Sequence, residues 1–384
     1  MTGKTVIILG GGVGGLVTAN ELRQHLGEEH RVVLVDREHQ HIFWPSLLWL
    51  QVGLRKPDSI VRDLASLRRK GIEVVKGEVE RIDLEGKVVW VDGQELTGDY
   101  LVVSLGAQLA PEQVPGLGEV GYNLYTLEGA TAIRDSRRDF SQGNLVVLVA
   151  RTPFKCPAAP YEAAMLLDHD LRKRKVRAGV SVELYSPEPG PMGVAGPEVS
   201  AGVRRLIEER DIAYYPQHQV TEVDPATKTL RFNDGDDAYF DFLVYVPPHV
   251  APSVVREAGL LGESGWVPVD RHTMETRFSG VYAIGDVTGI PLAMGLPLPK
   301  AGVFAHHEGE AVAQTLVAKI TGRGHEDTFS GQGECFIEVG GGRAGFGRGN
   351  FYTEPNPSIK LYKPGRHWHA GKVLFEKDWM RRWF

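Results

Sequence analysis

Apolar and polar positions follow two rhythms along the chain. The run Thr5-Val6-Ile7-Ile8-Leu9 is short and apolar, Leu16 to Leu26 carries apolar residues at helical spacing, and Arg31 to Val35 is a second short run. Gly10-Gly11-Gly12-Val13-Gly14-Gly15 stands between the first run and the helical stretch, so the order is strand, tight turn, helix, strand. Ile60 to Arg69 reads as a helix, Ile72 to Val75 as a strand, Val79 to Ile82 with Lys87 to Val91 as a hairpin, and Tyr100 to Leu105 as a strand closing on Gly106. The same order then recurs. Asn144 to Ala150 is a strand, Pro160 to Arg172 a helix, Val180 to Tyr185 a strand and Pro197 to Arg210 a helix; Asp211 to Tyr214, a hairpin through Thr229 to Phe232, and Asp241 to Val246 follow. From Val267 the chain returns to the first unit, with a strand ending in Gly285-Asp286 and a helix from Ala301 to Ile320. The pattern predicts an α/β fold of two Rossmann-like dinucleotide-binding domains. The first is discontinuous, residues 1–108 and 268–326; the second spans 109–267; a C-terminal segment with an amphipathic helix spans 327–384.

The first turn carries chemistry. Gly10, Gly12 and Gly15 have the G-x-G-x-x-G spacing that lets a backbone turn sharply, approach a pyrophosphate and pack the next helix on its strand. Asp36 lies 21 residues past Gly15, where a carboxylate accepts ribose hydroxyls. An adenine dinucleotide is expected here, with Gly14, Arg37, Val79 and Gly106 completing its candidate contacts. The aromatic stretch from His41 to Leu50, containing Pro45, is expected to pack something flat. The equivalent turn of the second unit, Arg151 to Glu162, has no glycine, and Pro153 and Pro157 remove amides that would face a phosphate. NAD is not expected there. Cys156 stands there instead, just ahead of a helix N-terminus and beside Lys155, a setting that favours thiolate and makes it a candidate nucleophile. Gly285 and Asp286 are placed near ribityl or phosphate-side hydroxyls, and Lys300, opening its helix, near a flavin N1 and O2 edge.

Composition narrows the class. The 384 residues are 42% hydrophobic and 24% charged with net charge −6, and basic residues come only in short runs, which argues against nucleic acid. No apolar run reaches the roughly 20 residues that span a bilayer, and a first strand at residue 5 leaves no room for a signal peptide, so a cytoplasmic location is expected. Cys156 and Cys335 are the two cysteines, too few for a disulfide scaffold and wrongly spaced for zinc, so no metal is expected. Trp368, Phe375, Trp379 and Trp383 fall close to one face of a C-terminal helix, with Lys372, Lys377, Arg381 and Arg382 around the rest. Such a helix is expected to lie in a membrane interface, apolar side in the lipid.

Taken together, the Gly10 to Gly15 turn with Asp36, Trp44-Pro45-Ser46, Gly53 to Pro57, Cys156 with Pro160-Tyr161-Glu162, Gly285-Asp286, Pro299-Lys300 and Cys335 resemble the sulfide:quinone oxidoreductase and flavocytochrome c sulfide dehydrogenase family. The resemblance runs nearly end to end. It implies the two-domain flavoprotein fold of glutathione reductase type and FAD held by Gly10, Gly12, Gly15, Asp36, Gly106 and Asp286, with Pro45 and Lys300 beside the ring. It further implies that Cys156 and Cys335 meet at one flavin face as a disulfide or sulfur-bridged pair, opened by hydrogen sulfide to a persulfide on Cys156. Cys335 would then react at the flavin, and Glu162 would serve as base. Electrons would pass to a quinone lined by Phe336, Phe346 and Phe351, in a peripheral membrane protein on the cytoplasmic side that forms homo-oligomers. Two other readings stay open: a flavoprotein subunit that donates to a cytochrome partner, and a type II NADH dehydrogenase, which would need glycines in the second turn.

Overall fold

The computed structural model describes residues 3–384. Two five-stranded parallel sheets carry the fold. In the first, the spatial order is Val281–Ala283, Tyr100–Val103, Thr5–Leu9, Arg31–Asp36 and Glu73–Lys76. The chain leaves Thr5–Leu9 toward one edge and returns to its other side at Tyr100. The strand order therefore reverses beside Leu9, where the glycine turn and Gly106 lie, and such reversals are where open α/β sheets bind ligands. The second sheet runs Tyr122–Asn123, Phe242–Val246, Gly143–Val149, Val180–Tyr185 and Ala213–Tyr215. Central strands of both are apolar past their first residues, with Val6, Ile8, Val146 and Val147 wholly buried, because helices or further strands cover both faces.

The predicted helices form with shifted ends: Val13–His25, Ala159–Lys173, Pro197–Glu208 and Gly302–Thr321. The first and last of these pack unusually closely. A Cβ on Gly309 would stand 2.8 Å from the Gly14 carbonyl and 2.9 Å from Thr18 Oγ1. The expected helix over Ile60 to Arg69 does not form. Val61–Asp63 is a strand paired antiparallel with Gln40–Ile42, and a 3-10 turn, Leu64–Lys70, follows it. Asp63 accepts from the Ala65 amide, which caps that turn and breaks the run.

The tail differs most from expectation. A three-stranded antiparallel sheet, Gln332–Gly340, Arg343–Asn350 and Ser358–Gly365, leads into the helix Arg366–Arg382. That helix lies on the protein's own body: Trp379 and Trp383 are 3% exposed and join the first domain's core. Lys372, expected among the outward cations, is also 3% exposed. Polar bonds pin the same face. Glu376 receives two bonds from Arg55 Nε, 2.9 Å each, and one from Ser46 Oγ at 2.6 Å. Trp379 Nε1 donates to His41 Nε2 at 3.2 Å, and the other ring nitrogen of His41 lies 2.9 Å from the Gly11 carbonyl. The nucleotide turn is thus held from the far end of the chain. Replacing Trp379 with Ala is expected to cost about 3–5 kcal/mol in denaturant unfolding, the usual range for emptying a buried tryptophan site. A loss below about 1 kcal/mol would mean the helix is only loosely laid on.

Candidate active site

The turn that opens the first domain is shaped by steric necessity. A Cβ on Gly15 would stand 1.9 Å from the Gly10 carbonyl, and Gly10, at φ +100°, would meet the Ser104 carbonyl at 2.4 Å. Gly14 faces inward, where a Cβ would lie 2.9 Å from Ile284 Cδ1, so its missing side chain serves packing. Gly12 and Gly106 differ in kind, since a Cβ on either meets nothing within 4 Å. Open space at these two glycines, beside closed space at Gly10 and Gly15, is the cradle a pyrophosphate and the group beyond it require. Asp36 accepts from the Gly11 amide and, at 2.7 Å, from the Glu38 amide. Burial raises its pKa despite those bonds. Arg37 is exposed, 3.7 Å from Glu38 and from Glu78, and Val79 is absorbed into a core cluster with Leu9 and Val35.

On the second unit, the loop before Ala159–Lys173 presents Cys156 at φ +52°, a left-handed conformation rare for a residue with a Cβ. Two bonds hold it there. Its amide donates to the Lys300 carbonyl at 2.6 Å, and the Tyr125 hydroxyl donates to the Lys155 carbonyl at 2.5 Å. The Lys155 ammonium lies 4.1 Å from the centre of the Trp44 ring, which brings the Trp44-Pro45 segment against the cysteine loop. Cys335, from the strand Gln332–Gly340, packs on the same core cluster as Cys156. Both cysteines are free and partly buried, and each lies in the field of the other's neighbours, Glu162 and Lys372. The expected activation of Cys156 toward thiolate is not what the site produces. Withdrawal from water, reinforced by Cys335 and Glu162, pushes its pKa well up against the opposing pull of Lys372 and the Ala159 amide. The same loss of water pushes Cys335 up to about 12.

Glu162 is 1% exposed, accepts from the Glu338 amide at 2.8 Å and pairs with Lys372 at 3.1 Å. Burial raises its pKa against these stabilising partners, as a proton acceptor in a dry site requires. Glu338, also 1% exposed, pairs with His369 at 2.9 Å. Asp286 too is raised by burial, opposed by Lys155 and Lys300. The Lys300 ammonium donates to the carbonyls of Asp286 at 2.7 Å and Thr288 at 2.9 Å and stands 3.3 Å over the centre of the Trp266 ring. Burial lowers its pKa to about 8, against the opposing pull of Asp286 and Glu308. Gly285 donates to Glu308 at 2.6 Å, and burial lifts that carboxyl to about 7.

Phe336 and Phe346 come together at 5.1 Å between ring centres, with Trp368 stacked on Phe346 at 4.4 Å. Phe351 lies apart from this pair, edge-on to Phe304 at 5.0 Å. Tyr125, Lys372, Glu338, His369 and His249 were not anticipated from sequence. His249 is 6% exposed, with Nδ1 2.8 Å from the Pro247 carbonyl, and burial lowers its pKa to about 3.

The profile of the pyridine nucleotide-disulphide oxidoreductase family matches residues 4–309. The chain belongs to this family. Within it, the chain is 28% identical to the sulfide-quinone reductase of Aquifex aeolicus over 394 residues, 97% of this chain and 90% of that one. It is 26% identical to the mitochondrial sulfide:quinone oxidoreductase of Mus musculus, across 74% of this chain and 66% of that longer one. The crystal structure of the sulfide:quinone oxidoreductase from Aquifex aeolicus superposes with a TM-score of 0.89, covering 99% of this chain and 91% of that chain at 26% identity. The chain is a flavoprotein oxidoreductase, and FAD is the cofactor that its Gly10 to Gly15 turn fits.

Glu308 gives a test of the cofactor-side electrostatics. Its folded pKa of about 7 lies above the ordinary 4.5, so its stabilising contribution is complete below about pH 4.5 and is lost as pH rises through 7. Replacing Glu308 with Gln is expected to make the apoprotein more stable than the parent at pH 8, by up to about 3 kcal/mol, with no gain at pH 4.5. Urea titrations at the two pH values check this; equal effects at both would show that the carboxyl is ionised throughout.

Proposed function

We propose that this enzyme oxidises sulfide to sulfane sulfur through Cys156 and Cys335 and passes the electrons by way of FAD to a quinone at a membrane surface. The observation that supports the reading is that both cysteines pack on one core cluster and lie in the field of Glu162 and Lys372, Cys156 also in that of Cys335. The likeness to enzymes named for sulfide and quinone supports it. In the oxidised enzyme the cysteines are bridged, and hydrosulfide attacks at Cys156. A sulfur–sulfur bond forms there, the bridge breaks, and Cys335 leaves as thiolate. Glu162 takes the proton when neutral hydrogen sulfide is the form that enters, and Lys372 offsets the thiolate charge. Conversion of hydrosulfide to sulfane sulfur yields one proton and two electrons; FAD, when bound, supplies the two-electron acceptor.

Sulfide is expected to bleach the bound flavin and a soluble quinone to restore its colour, while NADH does neither. Cys335→Ser should remain yellow and folded but lose sulfide-driven bleaching by at least about 100-fold in rate. Bleaching at the parent rate would remove the cysteine pair from the mechanism. Fast bleaching by NADH would favour the nicotinamide-using reading instead.

We propose further that the membrane contact is made by side chains that the docked tail leaves outside. Leu374 and Phe375 are exposed on the C-terminal helix and Leu54 on the loop held to it through Arg55, with Lys377, Arg381 and Arg382 exposed nearby. No helix among the described residues is long and apolar enough to cross a membrane. A Leu374→Ser/Phe375→Ser double variant is expected to bind vesicles containing anionic lipid about ten-fold more weakly or worse, by co-sedimentation, with soluble-quinone turnover retained. Undiminished vesicle binding would place the contact elsewhere.

A further inference from the structure

The long helix Gly302–Thr321 carries a set of donors that the sulfur chemistry leaves unused. His306 Nε2 lies 3.1 Å from Glu310 Oε1, and His307 Nδ1 lies 3.2 Å from Glu310 Oε2. Adjacent helical residues point about 100° apart, so two neighbouring histidines do not ordinarily converge. They do so here because the two rings use different nitrogens. His306 extends its far nitrogen along the helix to Glu310 one turn on, while His307 offers the nitrogen nearest its backbone. The rings stand edge to face, 5.3 Å between centres. One donor atom from each of the three side chains lies within 4.8 Å of the others.

We propose that His306, His307 and Glu310 form a binding site for a divalent transition metal of the Zn2+ or Ni2+ class. Two imidazoles and a carboxylate suit this group of metals, whereas Mg2+ and Ca2+ require oxygen. Bonds of about 2.0–2.1 Å in tetrahedral array place ligand atoms about 3.3 Å apart, and each imidazole nitrogen already stands near that distance from one oxygen of Glu310. Three protein ligands leave one position for water, and the side chains are 21%, 34% and 31% exposed, so an ion can enter. The field is favourable as well, because the carboxylates of Glu308 and Glu334 also face His307. A second group, His218 with Asp234 and Asp236, is a weaker host: its nearest pairs are 3.6 and 3.7 Å apart and involve side chains as much as 74% exposed. The site sits where this helix meets the C-terminal one, since the His306 ring is 5.7 Å from that of Trp379 and 5.6 Å from that of Trp383. Those two indoles therefore report on occupancy.

The test is titration of the flavin-loaded full chain with Ni2+, followed by calorimetry and by tryptophan fluorescence. One equivalent should bind with quenching of the emission. His307→Gln and Glu310→Gln should each bind at least ten-fold more weakly and lose the quenching, with melting temperatures in chelator unchanged from the parent. Three results overturn the site: no Ni2+ binding up to millimolar concentration, loss of binding in His218→Gln with both helix variants unaffected, or loss in Cys335→Ser alone.

Discussion

The ion pair between Lys372 and Glu162 sets the terms for the rest of the molecule. Both groups are almost entirely removed from water, and neither can be left there alone, since a buried charge without its partner costs several kcal/mol. Glu162 belongs to the helix behind the Cys156 loop, and Lys372 to the last helix of the chain. The pair therefore admits one seating of that helix. In this seating Glu376 meets Arg55 and Ser46, Trp379 meets His41, and the glycine turn is braced through Gly11. The elements that would hold FAD, carry the thiols and line a route for electrons are fixed relative to one another by contacts that begin at this pair.

Much of the fold was legible in the sequence for a simple reason. Parallel strands buried on both faces leave continuous apolar runs, and a tight turn against a phosphate leaves glycine. Gly10, Gly15 and Gly106 lie where spacing put them. Ile60 to Arg69 misled because Val61 to Asp63 pairs with a strand distant in sequence, which no local periodicity reports. The tail misled for a different reason. Its tryptophans were assigned to one face and its lysines to the other, yet Lys372, Glu376, Trp379 and Trp383 recur at spacings of four, three and four. They share a single stripe, and charges on an apolar stripe were the available sign of a buried pair.

Cys156 was found by what it replaced, and its expected thiolate character runs against its burial. A helix N-terminus and a lysine both favour thiolate, but the terminus acts within one turn and loses to desolvation when the sulfur is withdrawn from water. Sequence displays neighbours along the chain; it does not display how far they are from solvent. The carbonyls that Lys300 donates to are likewise twelve and fourteen residues away and come to it only once the loop has closed.

The left-handed backbone at Cys156 has a consequence for how this chain can drift. A side chain in that region strains the main chain by roughly 1–2 kcal/mol, and glycine would relieve it. Thermal selection alone would thus push the position toward glycine, the residue that sister turns use to admit a dinucleotide. The thiol at this bend is therefore held at a cost in stability that a glycine in the same place would not carry.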